Sequence, residues 1–249
     1  MKKYLIGIAL SASVAAPFVH ADTVFGVYAG ATSWNSDFSG NFNSKKNGNI
    51  DVKDQLDLGG ETASSFYIAV EHPIPLLPNI KIRKTDVAFS KDTILTKDVK
   101  FDDKTFTAST PVKSTFDLNH TDATFYYEIL DNWVSLDLGL TARKFGGKAA
   151  VESLNQAAKL NLDATIPMVY AMVQFDLPLT GAYVGAETNF IGYSGNSLKD
   201  IILKAGYESE LGIGAEVGYR TISLKLDDVS DLSTDIKSSG AYASVTYHF

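Results

Sequence analysis

The sequence offers few residues whose types and spacing could carry out a reaction. Beyond residue 21 it holds three histidines, His72, His120 and His248, far apart in the chain. None has a partner at the spacing of a metal site, and no zinc-type motif, GxSxG elbow, phosphate loop or dinucleotide fingerprint occurs. Neither a metal nor a cofactor is expected. One cluster stands out: His120 and Asp122, with Asp117 close by. A histidine with acidic partners at an outer rim can act as a general base in proteolysis, and a Ser-His pair facing lipid would serve a deacylase. Nothing else completes such a constellation, so solvated loop residues are the simpler account, and the sequence reads as that of a non-enzyme. The remaining chemistry-bearing residues are charges: Glu128, Asp137, Arg143, Glu187, Lys204, Glu216 and Arg220. They matter only if the chain gathers them, which turns on the elements that carry them.

Those elements are strands. In the stretch 132–147, Val134, Leu136, Leu138, Leu140 and Ala142 alternate with Ser135, Asp137, Gly139, Thr141 and Arg143. Side chains of a strand point to opposite faces in turn, so this is a strand with one apolar and one polar face. The rhythm recurs at 211–220, where Leu211, Ile213, Ala215, Val217 and Tyr219 oppose Gly212, Gly214, Glu216, Gly218 and Arg220. It returns at 25–32, 124–129 and 241–249. The second face is rich in glycine and charge and poor in lysine, which suits a confined lumen better than the open face of a soluble sandwich. On that face the seven charges point inward together with Tyr28, Tyr126 and Tyr242. Trp34, Tyr127, Trp133, Phe175, Tyr183, Phe190, Tyr193, Tyr207, Tyr247 and Phe249 stand near strand ends, as the girdles of a membrane barrel would.

Residues 1–21 begin with Lys2 and Lys3, continue through an apolar run from Tyr4 to Ala16, and end in Val19, His20 and Ala21, the pattern of a cleaved secretory signal. The run falls short of the roughly 20 residues of a spanning helix, and Pro17 interrupts it. Residues 22–249 are expected to form one domain. They carry 20 Lys and Arg against 29 Asp and Glu, a formal charge of −9, which argues against nucleic acid as a partner. The chain has no cysteine, so an exported protein of this length needs a large core or a closed barrel for stability.

Ten strands are expected near 23–34, 63–72, 79–90, 121–130, 132–145, 164–176, 181–193, 198–207, 211–225 and 238–249. The connections 35–62, 91–120, 146–163, 194–197 and 226–237 alternate with the short breaks 73–78, around Asp131, 177–180 and 208–210. Short turns at one end, longer loops at the other and an even count describe an all-β, antiparallel, up-and-down transmembrane barrel with both termini in the periplasm. About ten strands fit the length. Eight follow if the third strand or the pair around Tyr193–Ser197 is something else, and twelve if Lys104–Phe116 forms a pair. The three prolines of 72–79 belong to a turn, and 153–162 has the character of a short helix. In the third strand the apolar phase changes between Ile82 and Val87, which reads as a bulge.

The final residues alternate so that Tyr247 and Phe249 share a face, which resembles the C-terminal recognition strand of bacterial outer-membrane proteins. The resemblance implies that the barrel-assembly machinery reads this strand, which then closes against the first. A narrower one rests on FGVYAGA, HPIPLLPNIKIR, DLGLTARKFGG and the YHF ending. These are similar to a family of proteobacterial outer-membrane β-barrel proteins with a Gly-Gly pair, here Gly146-Gly147, with Gly59-Gly60 a second candidate. That family implies the fold and outer-membrane lipid as the surroundings, and it brings no catalytic residues. Lys84 departs from its pattern, because an outward apolar residue is expected there.

A monomer is expected. Charges of both signs in a narrow lumen will pair, since an unpaired charge away from water is costly. The interior is then salt-bridged and closed. Alternatively, the lumen-face glycines widen it into a narrow pathway for small polar solutes. The sequence therefore carries two functions, a passive channel, or a plugged barrel acting through outer loops 35–62 and 91–120.

Overall fold

The computed structural model describes residues 25–44, 48–229 and 232–249; the expected signal segment 1–21 lies outside the described residues. All regular structure among them is β. The strands are β1 (Gly26–Ser44), β2 (Gly48–Asp51), β3 (Gly60–Glu71), β4 (Asn79–Asp86), β5 (Ala88–Ile94), β6 (Val99–Phe101), β7 (Lys104–Phe106) and β8 (Pro111–Asp117). They continue with β9 (His120–Asp131), β10 (Val134–Glu152), β11 (Ala157–Asp176), β12 (Ala182–Tyr193), β13 (Asn196–Glu208), β14 (Ile213–Val229) and β15 (Leu232–His248).

Neighbours in the chain pair antiparallel all the way round, and β15 pairs with β1 to close a barrel of ten staves. One stave is β4 followed by β5, another β8 followed by β9; β2 adds to the outer end of β1. Val27 and Phe249 exchange two backbone hydrogen bonds of 2.8 Å at the seam. Closure matters because lipid offers no partner for an unpaired edge. Both ends of the barrel chain lie beside the short turns, the periplasmic arrangement of a transmembrane barrel.

Which face of each strand is apolar depends on height. On β10 the outward residues are Leu136, Leu138, Leu140 and then Lys144, while the inward ones are Asp137, Thr141, Arg143 and then Phe145. On β14, Ile213, Val217 and Tyr219 face out and Glu216 and Arg220 face in; beyond Arg220 the inward side chain is Ile222 and the outward one Ser223. On β1 the inward face passes from Tyr28 to the buried Trp34 and Phe38. The lower half is thus apolar outside and polar inside, as lipid requires. The upper half is polar outside and apolar inside, as water requires.

This inversion accounts for the third stave. Arg83 faces Asp122 and Ala88 faces Asp117, five residues along on each strand, so the register runs through Val87 without a bulge. Ile80 and Ile82 point to lipid and Val87 and Phe89 to the upper core on one uninterrupted alternation. The expected bulge is corrected: what changes is the apolar side, and the strand's phase is constant. Lys84 faces outward above the apolar belt, where a charge meets water.

Three other expectations are corrected. The long connections are largely strand, because the staves continue well above the belt: β1 runs to Ser44, β10 to Glu152 and β14 to Val229. Residues 153–162 form a tight turn and the start of β11, with no helix, since each of Ala157–Leu162 has a cross-strand partner on β10. Of Lys104–Phe116, the first part pairs with Val99–Phe101 in a small hairpin and the rest extends β9 as β8, so the count stays at ten.

Candidate functional site

The site is the barrel interior. Strand alternation aims one side chain in two inward, and the register stacks those side chains into layers. At the turn end a cavity of about 500 Å³ lies among Leu177, Pro178, Gly181, Glu208 and His248. It leads to one of about 160 Å³ lined by Glu71, Glu128, Asp131, Asp137 and Tyr126, and a pocket of about 50 Å³ beside Arg83 and Glu187 follows. The interior narrows with height until it holds little more than a water or two.

Tyrosines do much of the narrowing. Tyr67, Tyr126, Tyr183 and Tyr242 stand directly across the ladder from Gly30, Gly139, Gly206 and Gly218. A β-carbon on Gly30 or Gly206 would fall 2.3 Å from the facing ring, and one on Gly218 2.7 Å. Gly30, Gly206 and Gly218 therefore receive aromatic rings, and the expected widening of the lumen is corrected. The hydroxyls are used as well: Tyr126 donates to Glu71 at 2.7 Å, and Tyr242 and Tyr183 donate to Glu216 at 2.6 and 3.2 Å.

Above the tyrosines lies a layer of buried ion pairs. Glu187 accepts from Arg83 and from Lys81, both at 2.6 Å. Asp200 sits between two guanidinium groups, accepting from Arg143 at 2.6 Å and from Arg220 at 2.7 and 3.0 Å. Arg143 also makes a two-pronged contact with Asp122, both bonds 2.7 Å. Every charge in the layer has an oppositely charged partner in contact, and forked geometry satisfies most of the donors, which lets the layer survive away from water.

Over this layer the interior is apolar. Phe38 stacks on the cross-strand neighbours Phe89 and Phe116 at centroid distances of 4.5 and 4.9 Å. Val52, Leu56 and Leu58, from the segment after β2, and Val99, Phe101 and Phe106, from the β6–β7 hairpin, fill the rest. The outer half of the barrel is a packed hydrophobic core.

Of the residues named from sequence, Asp137, Arg143, Glu187 and Arg220 are buried inside, while Lys204 and Glu216 line the cavities 4.0 Å apart. Glu128 lines the solvated middle cavity. Tyr28, Tyr126 and Tyr242 also face in. Tyr247 and Phe249 face outward, exposed on the lipid side. The girdle expectation is corrected at two positions: Trp34 is buried in the upper interior and Tyr183 lines the lumen. Missed were Lys81, Arg83 and Asp200. Asp200 has the parity of Lys204, and Lys81 and Arg83 that of Val87, so unbroken alternation was the available signal.

His120 and Asp122 are neither solvated nor at an outer rim, contrary to expectation, because β8 carries their stave further up. His120 is 3% exposed, with Nδ1 2.8 Å from the Leu118 carbonyl oxygen and its ring against Phe145. His120, Asp122 and Asp200 lie near enough to share an ion, but Arg143 and Arg220 already neutralise both carboxylates. A divalent cation there would leave two buried positive charges unbalanced. The residues do not fit a metal.

A closed antiparallel barrel with an apolar outward belt, a polar interior at belt height and short turns beside its termini is an outer-membrane β-barrel. No family model matches the chain, and no curated relative matches it in sequence. Among solved structures it is similar to the outer-membrane protease OmpT from Escherichia coli, with a TM-score of 0.53 and 9% identity over 93% of this chain and 99% of that one. It is less similar to the transport unit of the autotransporter AIDA-I from Escherichia coli, with a TM-score of 0.45 and 12% identity over 90% of each chain. Ail, the attachment invasion locus protein of Yersinia pestis, gives 0.37 and 11%, over 89% of this chain and 99% of that. At such identities the likeness to OmpT is one of fold.

Proposed function

We infer that the chain is a non-conducting outer-membrane barrel that holds a rigid protein head above the lipid for surface interaction. The observation that carries this reading is the packed core around Phe38, Phe89, Phe116 and Phe106 across the outer half. A solute rising through the lumen would have to break both the Arg143–Asp200–Arg220 pairs and that core. In this reading residues 1–21 are a cleaved export signal, and Tyr247 and Phe249 present the closing strand to the assembly machinery. The mature chain is a monomer surrounded by outer-membrane lipid.

The second reading is a narrow channel for small polar solutes past Glu128, Asp137, Arg143, Glu187, Lys204, Glu216 and Arg220. The polar lining and the cavities of about 500 and 160 Å³ favour it. It requires the head to open. Hydrolysis at His120 has the least support, because the imidazole lies under the apolar core with no route for a substrate. Single-channel recording of the refolded protein in a planar bilayer separates the two main readings. The plugged barrel stays silent, and so do its Arg143→Ala and Arg220→Ala variants. Reproducible open steps that change in those variants would establish the channel and end the plugged reading.

A further inference from the structure

The cavities below the ion-pair layer carry more negative charge than the wall can balance. Glu187 is matched by Lys81 and Arg83, Glu216 has Lys204 at 4.0 Å and Glu208 has His248 at 3.2 Å. Glu71, Glu128, Asp131 and Asp137 line the same cavity with no cation at ion-pair distance among the described residues; Lys81 and Lys204 stand on the same wall but are paired with Glu187 and Glu216. Asp137 is the telling member. It is 4% exposed, its side chain lines the 160 Å³ space, and it has neither an ion pair nor a hydrogen bond there. A buried carboxylate without a partner costs free energy unless it takes up a proton or a cation fills the empty place beside it.

The shape of the cluster says what kind of cation. No three of these carboxylates come within reach of a single ion; the one such grouping among the described residues is the neutralised His120 cluster above. The negative charge is spread along a tapering space instead. Its walls include the rings of Tyr28, Tyr126 and Tyr170, and ring faces attract ammonium groups. The space opens at the turn end through the larger cavity.

We propose that this basin is a binding site for an organic cation of the diamine or polyamine class, which enters from the periplasmic end. One ammonium group pairs with Asp137 at the narrow end, and further ammonium groups meet Glu128 and Glu71 along the wall. The aliphatic segments lie against the tyrosines. The site is independent of whether the barrel conducts.

The test is calorimetric titration of the refolded protein in a neutral detergent at low salt, with spermidine as the probe. Saturable one-to-one binding is expected. It weakens by about tenfold or more in Asp137→Asn and in Glu128→Gln, and it is unchanged in Asp163→Asn, which lies on the outer face of the head. Asp137→Asn keeps the side-chain shape and removes only an unmatched charge, so it folds; circular dichroism checks this, and Glu128→Gln gives the second reading of the site. Absence of saturable binding overturns the proposal, as does an affinity in both basin variants equal to that of the wild-type protein. Saturable binding of magnesium alone that spermidine fails to displace also overturns it, by assigning the basin to a metal.

Discussion

Tyr67 lies flat across Gly30 on the neighbouring strand, with a ring carbon 2.3 Å from where a β-carbon on residue 30 would stand. The glycine is a socket for the ring, a cross-strand device that lets a small barrel fill its interior with aromatics. Gly30→Ala should push Tyr67 off its seat and lower the stability of the refolded barrel by about 1–3 kcal/mol, the usual cost of overpacking. Urea unfolding in micelles measures it. In a Gly30→Ala, Tyr67→Ala double variant the two losses should fall short of adding, because the clash is removed with the ring.

Asp200 holds two guanidinium groups at once. Replacing it by asparagine leaves Arg143 and Arg220 buried and under-matched, and the expected loss is roughly 3–5 kcal/mol. Replacing Arg143 and Asp122 together by apolar residues of similar size should cost less than Arg143→Met alone, because no orphaned charge remains on Asp122. Unfolding midpoints of the three variants decide this; equal losses would mean the layer is not coupled.

Asp137→Asn should move the other way. It removes a buried carboxylate that lacks a partner, so the amine-free barrel is expected to gain about 1 kcal/mol. A loss of stability in the same unfolding assay would mean that Asp137 has a partner in solution.

Phe38 sits at 0% exposure in the middle of the upper core. Phe38→Ala should cost about 3–5 kcal/mol through the cavity it leaves. Because that core belongs to the head, loosening should appear first as protease cleavage near the β10–β11 turn at 153–156, while the lipid-embedded half remains protected. Cleavage that spreads evenly over the chain would contradict a head with its own core.

The height at which the two faces exchange character marks the lipid boundary. Leu140→Lys, inside the outward apolar belt, should cost up to roughly 2–4 kcal/mol, as charge on a lipid face does near the midplane. Lys144 already faces out four residues higher, exposed and paired with Asp163. Ala142→Lys should therefore cost less than Leu140→Lys, and a reversed order would move the boundary.

Alternation alone determined much of this protein. The period of two in 132–147 and 211–220 set which residues face in, and the contrast between short and long connections set an even-numbered barrel of about ten strands with its outer side identified. Those signals are local, carried by each strand without its neighbours. The exchange of apolar face was also written in the sequence, at Ile82 and Val87 and at Leu140 and Phe145. A phase argument that assumes one apolar side throughout turns it into a bulge, however. What the tertiary structure alone decided is how the layers meet. Arg143 reaches Asp200 57 residues away only because four staves, from β10 to β13, curve round to bring their inward faces together. Tyr67 fills the space over Gly30 only through the register of two strands. His120 is buried rather than exposed because its stave continues above it. The closure of the outer half depends on Leu56, Phe106 and Phe116 converging from separate segments, and convergence in space leaves no mark on any one segment's pattern.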